Sequence, residues 1–150
     1  MNILFVCSSN ACRSPYCEFV FRRRMEDRPD LIISSAGVLN PLGNMDFRTK
    51  RVLREQGFPE EELNDFRSAF RWNHPERFDA ADVIIGMSAE HGKLLPKKWR
   101  SKFTTLSEAA TGAYTAIPDP WFCLRRRKYD AILHELDRYL EQYAEQLETN

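Results

Sequence analysis

The sequence predicts an α/β layer fold built on a parallel sheet, and three observations carry that prediction. Short apolar runs of strand length recur at residues 2–6, 31–35, 81–86 and 103–106. Between them the pattern turns helical. A long amphipathic segment, residues 124–147, follows the last strand, with Ile132, Leu133, Leu136, Tyr139, Leu140, Tyr143 and Leu147 repeating at a helical period.

Each element has its own justification. Residues 2–6 (Asn-Ile-Leu-Phe-Val) suit a parallel strand buried on both faces. A polar turn occupies residues 7–11, and from Arg13 the spacing of Tyr16, Phe19, Val20 and Arg23 is helical, with Ser14-Pro15 as a favourable first turn. Pro29 breaks that helix, and the strand at 31–35 is closed by Gly37. Residues 38–45 read as a loop punctuated by Pro41 and Gly43, then a helix is expected over 46–56 with Gly57 as its stop. The pattern is weakest over 58–78, where short helical pieces are expected near Phe58-Pro59 and Asn73-His74-Pro75. After the strand at 81–86, Ser88 caps a helix running to Leu95. A loop rich in Gly, Thr and Pro at 111–120 leads into the last helix.

A length of 150 residues fits one domain spanning 1–150. Twenty-two basic residues balance 22 acidic ones, so the chain has no overall field that would attract nucleic acid. No apolar stretch approaches the ~20 residues that span a bilayer. The opening run lacks the basic prefix and cleavage site of a secretory leader. The four cysteines (Cys7, Cys12, Cys17 and Cys123) do not have the spacing of a disulfide framework, so a reducing, cytoplasmic location is expected. His74, His91 and His134 share no ligand-like spacing with them, and neither a metal nor a cofactor is expected.

In parallel sheets, ligands bind beyond the carboxyl ends of the strands. Cys7, residues 35–37, Met87-Ser88 and the Pro118-Asp119-Pro120 loop all follow strands and converge on that edge. The segment Cys7-Ser8-Ser9-Asn10-Ala11-Cys12-Arg13-Ser14-Pro15 carries the chemistry. Its spacing lets the backbone of residues 8–13 curl into a ring of N–H donors around an anion, with a helix directing its positive end into the ring. The same field favours a thiolate on Cys7. Arg13 adds a planar, permanently charged fork for two phosphate oxygens. Ser14 is placed to donate to the sulfur, and Asn10 tolerates a left-handed backbone. Asp119, stiffened by flanking prolines, is the candidate general acid and base, and Trp121 and Phe122 are candidate cleft walls. Nucleophile, phosphate clamp and acid together describe phosphomonoester hydrolysis through a phosphocysteine.

Along nearly its whole length the chain resembles the low-molecular-weight protein tyrosine phosphatases. The matching pieces are Val6-Cys7-x5-Arg13-Ser14-Pro15, Ser35-Ala36-Gly37, Asp46-x-Arg48 and Asp119-Pro120. The resemblance implies a four-stranded parallel sheet flanked by helices, and a phosphorylated protein or small phosphomonoester as substrate. It also implies Cys7 as nucleophile, Arg13 as clamp, Asp119 as acid, and Cys12 as a reversible redox partner of Cys7. Ser9 stands where the family usually has glycine. Ser68 stands for a usual histidine, Ser88 for an aspartate that orders the loop and its arginine, and Trp121 for a tyrosine.

Three other readings stay open. An arginine phosphatase shares the fold, but carries threonine where this chain has Ala11. A phosphate-binding regulatory module with reduced turnover is suggested by Ser9, Ser68 and Ser88. Phosphocysteine carriers of sugar phosphotransfer place a cysteine after strand one without needing Arg13 or Asp119. Arsenate reductases also resemble this fold, but need further cysteines that are absent between Cys17 and Cys123. The basic run Arg125, Arg126, Arg127 and Lys128 is expected to be a solvated face.

Overall fold

The structure is a computed structural model, and it describes residues 1–40 and 43–149. Pro41, expected to punctuate a loop, lies outside the described residues. Four parallel strands, β1 (Asn2–Cys7), β2 (Ile32–Gly37), β3 (Val83–Gly86) and β4 (Phe103–Thr105), form one sheet in the order β2-β1-β3-β4. The chain leaves β1 first toward β2 and later returns to β1's other side as β3. That reversal opens a crevice at the carboxyl end of β1.

The alternation of a strand places its residues on two faces. Ile3, Phe5 and Cys7 join one core cluster, most of whose helical members come from α1 (Arg13–Arg24), α2 (Phe47–Glu55) and α8 (Arg126–Thr149). Leu4 and Val6 join the other, with Phe78 of α4 (Pro75–Ala80) and Trp99 of α6 (Lys97–Arg100). Helices therefore cover both faces, which is why β1 reads as an unbroken apolar run. Along α8, Leu133, Leu136, Tyr139, Leu140 and Tyr143 are buried, as the helical period requires. Tyr143 stacks on Phe21 at 5.3 Å, and Phe21 meets Phe5 edge-on at 5.6 Å.

Several boundaries differ from expectation, each for a local reason. In the weakly patterned region the helices are α3 (Glu60–Asp65), which starts after Pro59, and α4, which has Pro75 in its first turn. The helix expected from Ser88 to Leu95 is the shorter α5 (Ala89–Lys93), and α6 is a separate helix that starts after Pro96. Leu106, expected to end a strand, and Thr111, expected to begin a loop, instead bound α7 (Leu106–Thr111), with the Thr105 hydroxyl accepting from the Glu108 N–H. Gly57 follows α2 at φ +90°, a left-handed position suited to a helix stop.

Candidate active site

The loop between β1 and α1 is shaped by its own side chains. Asn10 adopts φ 53°, the only non-glycine residue with a positive φ among the described residues, so Ser9 keeps a negative φ in the place where glycine is usual. The Ala69 N–H donates to Asn10 Oδ1 at 2.9 Å, which fixes the amide orientation. Asn10 Nδ2 then donates to Ser14 Oγ and to Ser35 Oγ, each at 2.9 Å. The Ser35 hydroxyl donates to Glu18 Oε1 at 2.6 Å, and Arg22 pairs with the same carboxylate at 2.9 Å. The Ser14 hydroxyl proton is left for Cys7 Sγ, 3.0 Å away. Asn10 and Ser14 are thus fully buried props of the loop, and their side chains do not line the cavity.

Four of the loop's carbonyl groups accept from donors outside the loop. Those of Cys7, Ser8 and Ala11 accept from the N–H groups of Val38 (3.0 Å), Leu39 (2.9 Å) and Asp46 (2.8 Å). The Asn10 carbonyl accepts from Ser68 Oγ at 2.8 Å, so Ser68 holds the loop from the side where a histidine is usual. Gly37 permits the close approach, because a Cβ there would sit 3.0 Å from the Ser9 carbonyl carbon and 2.9 Å from the Phe70 ring. Among the described residues, no protein group accepts from the amide N–H groups of residues 8–13.

These amides border a cavity of about 310 Å³, lined by Cys7, Ser8, Ser9, Ala11, Cys12 and Arg13 from the loop and by Leu39, Asn40, Asp119, Trp121 and Phe122. Arg13 is only 4% exposed. Its guanidinium donates to the Ile117 carbonyl at 2.9 Å and stands 3.6 Å from the Asp119 carboxylate, while its Nε is buried without a partner. Asp119 Oδ1 accepts from the Trp121 N–H at 3.0 Å, capping a single 3-10 turn (Pro120–Phe122) that presents both aromatic rings to the cavity. Leu39 and Asn40 complete the lining and carried no signal in the sequence beyond loop composition.

Arg48 clamps that turn from behind. Its Nε and Nη2 grip the Asp46 carboxylate at 3.0 and 2.9 Å, Nη2 also donates to the Trp121 carbonyl (3.2 Å), and Nη1 donates to the Cys123 carbonyl (2.7 Å). The guanidinium lies over the Tyr129 ring at 4.4 Å. The Asp46-x-Arg48 motif therefore joins the N-terminus of α2 to the segment bearing Asp119.

Burial pushes the Cys12 thiol up to about 12, against a hydrogen bond from Tyr129, with Asp46, Cys7 and Asp119 adding to the rise. Burial likewise raises Cys17. His91, which sequence reasoning left unassigned, is buried beside the loop with Nε2 3.3 Å from Ser8 Oγ. Burial, and then the Arg13 charge, pull it down to about 3. Its one sequence signal is its place three residues after the cap Ser88. Arg125, Arg127 and Lys128 are exposed, whereas Arg126 pairs with Glu55 at 2.7 Å.

A family model for low molecular weight phosphotyrosine protein phosphatase matches residues 2–150. The chain belongs to this family. Its fold and the cysteine-containing loop after β1 accord with that membership, and the protein is a phosphoric monoester hydrolase. It is 31% identical to a protein-arginine-phosphatase of Bacillus subtilis, the match covering 98% of this chain and 97% of that one. It is 26% identical to a low molecular weight protein-tyrosine-phosphatase of Streptomyces coelicolor, over 80% and 77% of the two chains. Among solved structures it resembles the YwlE arginine phosphatase C7S mutant with phosphorylated active site serine. That match has a TM-score of 0.86 and 27% identity, and covers 100% of this chain and 97% of the other. No helix among the described residues is long and apolar enough to cross a membrane.

Proposed function

We propose that the chain hydrolyses phosphorylated tyrosine in proteins through a phosphocysteine on Cys7. The observation that carries this is the meeting of Cys7, Arg13 and Asp119 around one cavity bordered by amides without protein partners. Such amides, together with the unpartnered Arg13 Nε, call for an anion with several acceptor oxygens, and a phosphoryl group has three. In the first step the Cys7 thiolate attacks phosphorus: the S–P bond forms, the P–O bond to the leaving group breaks, and Asp119 gives its proton to the departing oxygen. In the second step Asp119 takes a proton from water, whose oxygen bonds to phosphorus as the S–P bond breaks, releasing inorganic phosphate and the thiolate. Residues 8–13 hold the equatorial oxygens through backbone N–H groups, with Arg13 balancing their charge.

A second substrate class is favoured by one observation: the relative that is 31% identical over nearly the whole chain is a protein-arginine-phosphatase. Ala11 lacks the hydroxyl that threonine gives that class, which supports tyrosine. Turnover of a phosphotyrosine peptide against a phosphoarginine protein separates the two readings, and a large excess for phosphoarginine would overturn the first. The reaction itself is tested with p-nitrophenyl phosphate in reducing buffer, where turnover should persist in chelator and vanish in Cys7→Ser. Turnover in that variant would remove Cys7 from the role of nucleophile. Cys12 lines the same cavity and is read as the thiol that pairs with Cys7 on oxidation. Peptide mapping after mild peroxide that finds Cys7 bonded elsewhere, or bonded to nothing, would exclude it.

A further inference from the structure

Ser8, which lines the cavity next to Cys7, is in hydrogen-bond contact with the buried His91, and the mechanism above uses neither side chain. His91 is 4% exposed, and its Nδ1 accepts from the backbone N–H groups of Met87 (3.2 Å) and Ser88 (3.3 Å). Those groups can only donate, so Nδ1 is the bare nitrogen and Nε2 carries the hydrogen. The nearest acceptor for it is Ser8 Oγ, 3.3 Å away. Ser8 lines the cavity, and among the described residues its hydroxyl proton has no protein acceptor.

We propose that His91 is a positioning residue: by occupying a lone pair of Ser8 Oγ, it turns the Ser8 hydroxyl into a directed donor to the phosphoryl group bound in the loop. A free serine hydroxyl presents proton or lone pair with equal ease, and a lone pair facing a dianion is repelled. With one lone pair taken by Nε2–H, the hydroxyl offers its proton to the cavity. The imidazole stays neutral across working pH, because burial and the neighbouring Arg13 oppose a second cation there. This inference rests on the phosphatase reading and adds to it a side-chain donor beyond the backbone ring and Arg13.

The test compares inhibition of p-nitrophenyl phosphate turnover by inorganic phosphate across four variants. Ser8→Ala should weaken inhibition about five- to tenfold, the value of one hydrogen bond to a charged acceptor, and raise KM more than it lowers kcat. His91→Asn keeps an acceptor for the two backbone N–H groups but is too short to reach Ser8, and should weaken inhibition similarly. The double variant should be no weaker than either single one, since the two residues act as one unit. His91→Gln keeps a donor nitrogen near Nε2 and should restore most of what His91→Asn loses. Inhibition unchanged in Ser8→Ala, additive losses in the double variant, or equal losses in His91→Asn and His91→Gln would each overturn the proposal. If His91→Asn does not fold, Ser8→Ala and His91→Gln decide alone. A wild-type protein insensitive to phosphate would instead strike the phosphatase reading itself.

Discussion

Arg48→Ala offers a quantitative check on how the fold positions Asp119. The Asp46 side chain is 4% exposed and that of Arg48 19%, so the pair is largely removed from water. Deleting one partner of a buried pair leaves an uncompensated charge and costs about 3–5 kcal/mol. At about 2–4 °C per kcal/mol for a chain of this size, the melting temperature should fall by roughly 10 °C. The same change removes the donors to the Trp121 and Cys123 carbonyls, which flank the turn that Asp119 caps. Hydrolysis should then fall most for aryl phosphates with poor leaving groups, because they depend on a placed acid. Arg48→Ala with Asp46→Asn should recover at least ~1 kcal/mol, since the orphan charge is gone while a side-chain oxygen still caps α2. Thermal unfolding and a series of aryl phosphates measure both effects. Lost stability with an unchanged leaving-group dependence would refute the clamp, and unchanged stability would refute the buried ion pair.

Other expectations are shorter to state. Asp119→Ala should slow phenyl phosphate by about 10²–10⁴-fold and p-nitrophenyl phosphate much less; equal slowing of both would deny it the acid role. Arg13→Lys should lose most turnover despite its charge, because a point charge cannot replace a two-pronged donor; wild-type kinetics would contradict that. His91 is pulled from 6.5 to about 3, so its contribution to stability is full above pH 6.5 and is lost as pH falls toward 3. Between pH 6.5 and 4.5 this amounts to roughly 2–3 kcal/mol, which urea unfolding should find missing from His91→Asn. Cys12 is raised from 9.0 to about 12, so its contribution is full below pH 9 and is lost as pH rises toward 12. Cys12→Ala should flatten the alkaline loss of stability seen by the same measurement.

The sheet and the loop were legible because their signals are local. An apolar run buried on both faces, a Ser-Pro helix start and a helical stripe on α8 each occupy a few adjacent turns. Helix α7 was not legible: Thr105 and Leu106 suit a strand as well as a helix start, and only the hydroxyl bond from Thr105 to the Glu108 N–H decides between them. Glu18 in α1 reads as a surface carboxylate, yet it is buried at 7% because Ser35 and Arg22 satisfy its oxygens. His91 was invisible for a related reason. A lone histidine in a short helix has no periodicity, and its partner Ser8 lies 83 residues away in sequence.

The two serines around the candidate nucleophile obey one rule of hydrogen-bond polarity. A hydroxyl both gives and receives, so its direction is set by whichever neighbour cannot change sides. For Ser14 that neighbour is the Asn10 amide nitrogen, itself oriented by the Ala69 N–H and paired on its other hydrogen with Ser35. On one arm the Ser35 hydroxyl donates to the Glu18 carboxylate; on the other the Ser14 hydroxyl, accepting from Asn10, is left to donate to Cys7 Sγ. For Ser8 the fixed neighbour is His91 Nε2, held by two backbone N–H groups on the opposite side of the ring. One serine directs its proton at the sulfur, the other toward the space where a phosphoryl group would sit. Both directions are set by groups remote in sequence, so the loop's short sequence could name candidate reacting residues but not the polarity of their surroundings.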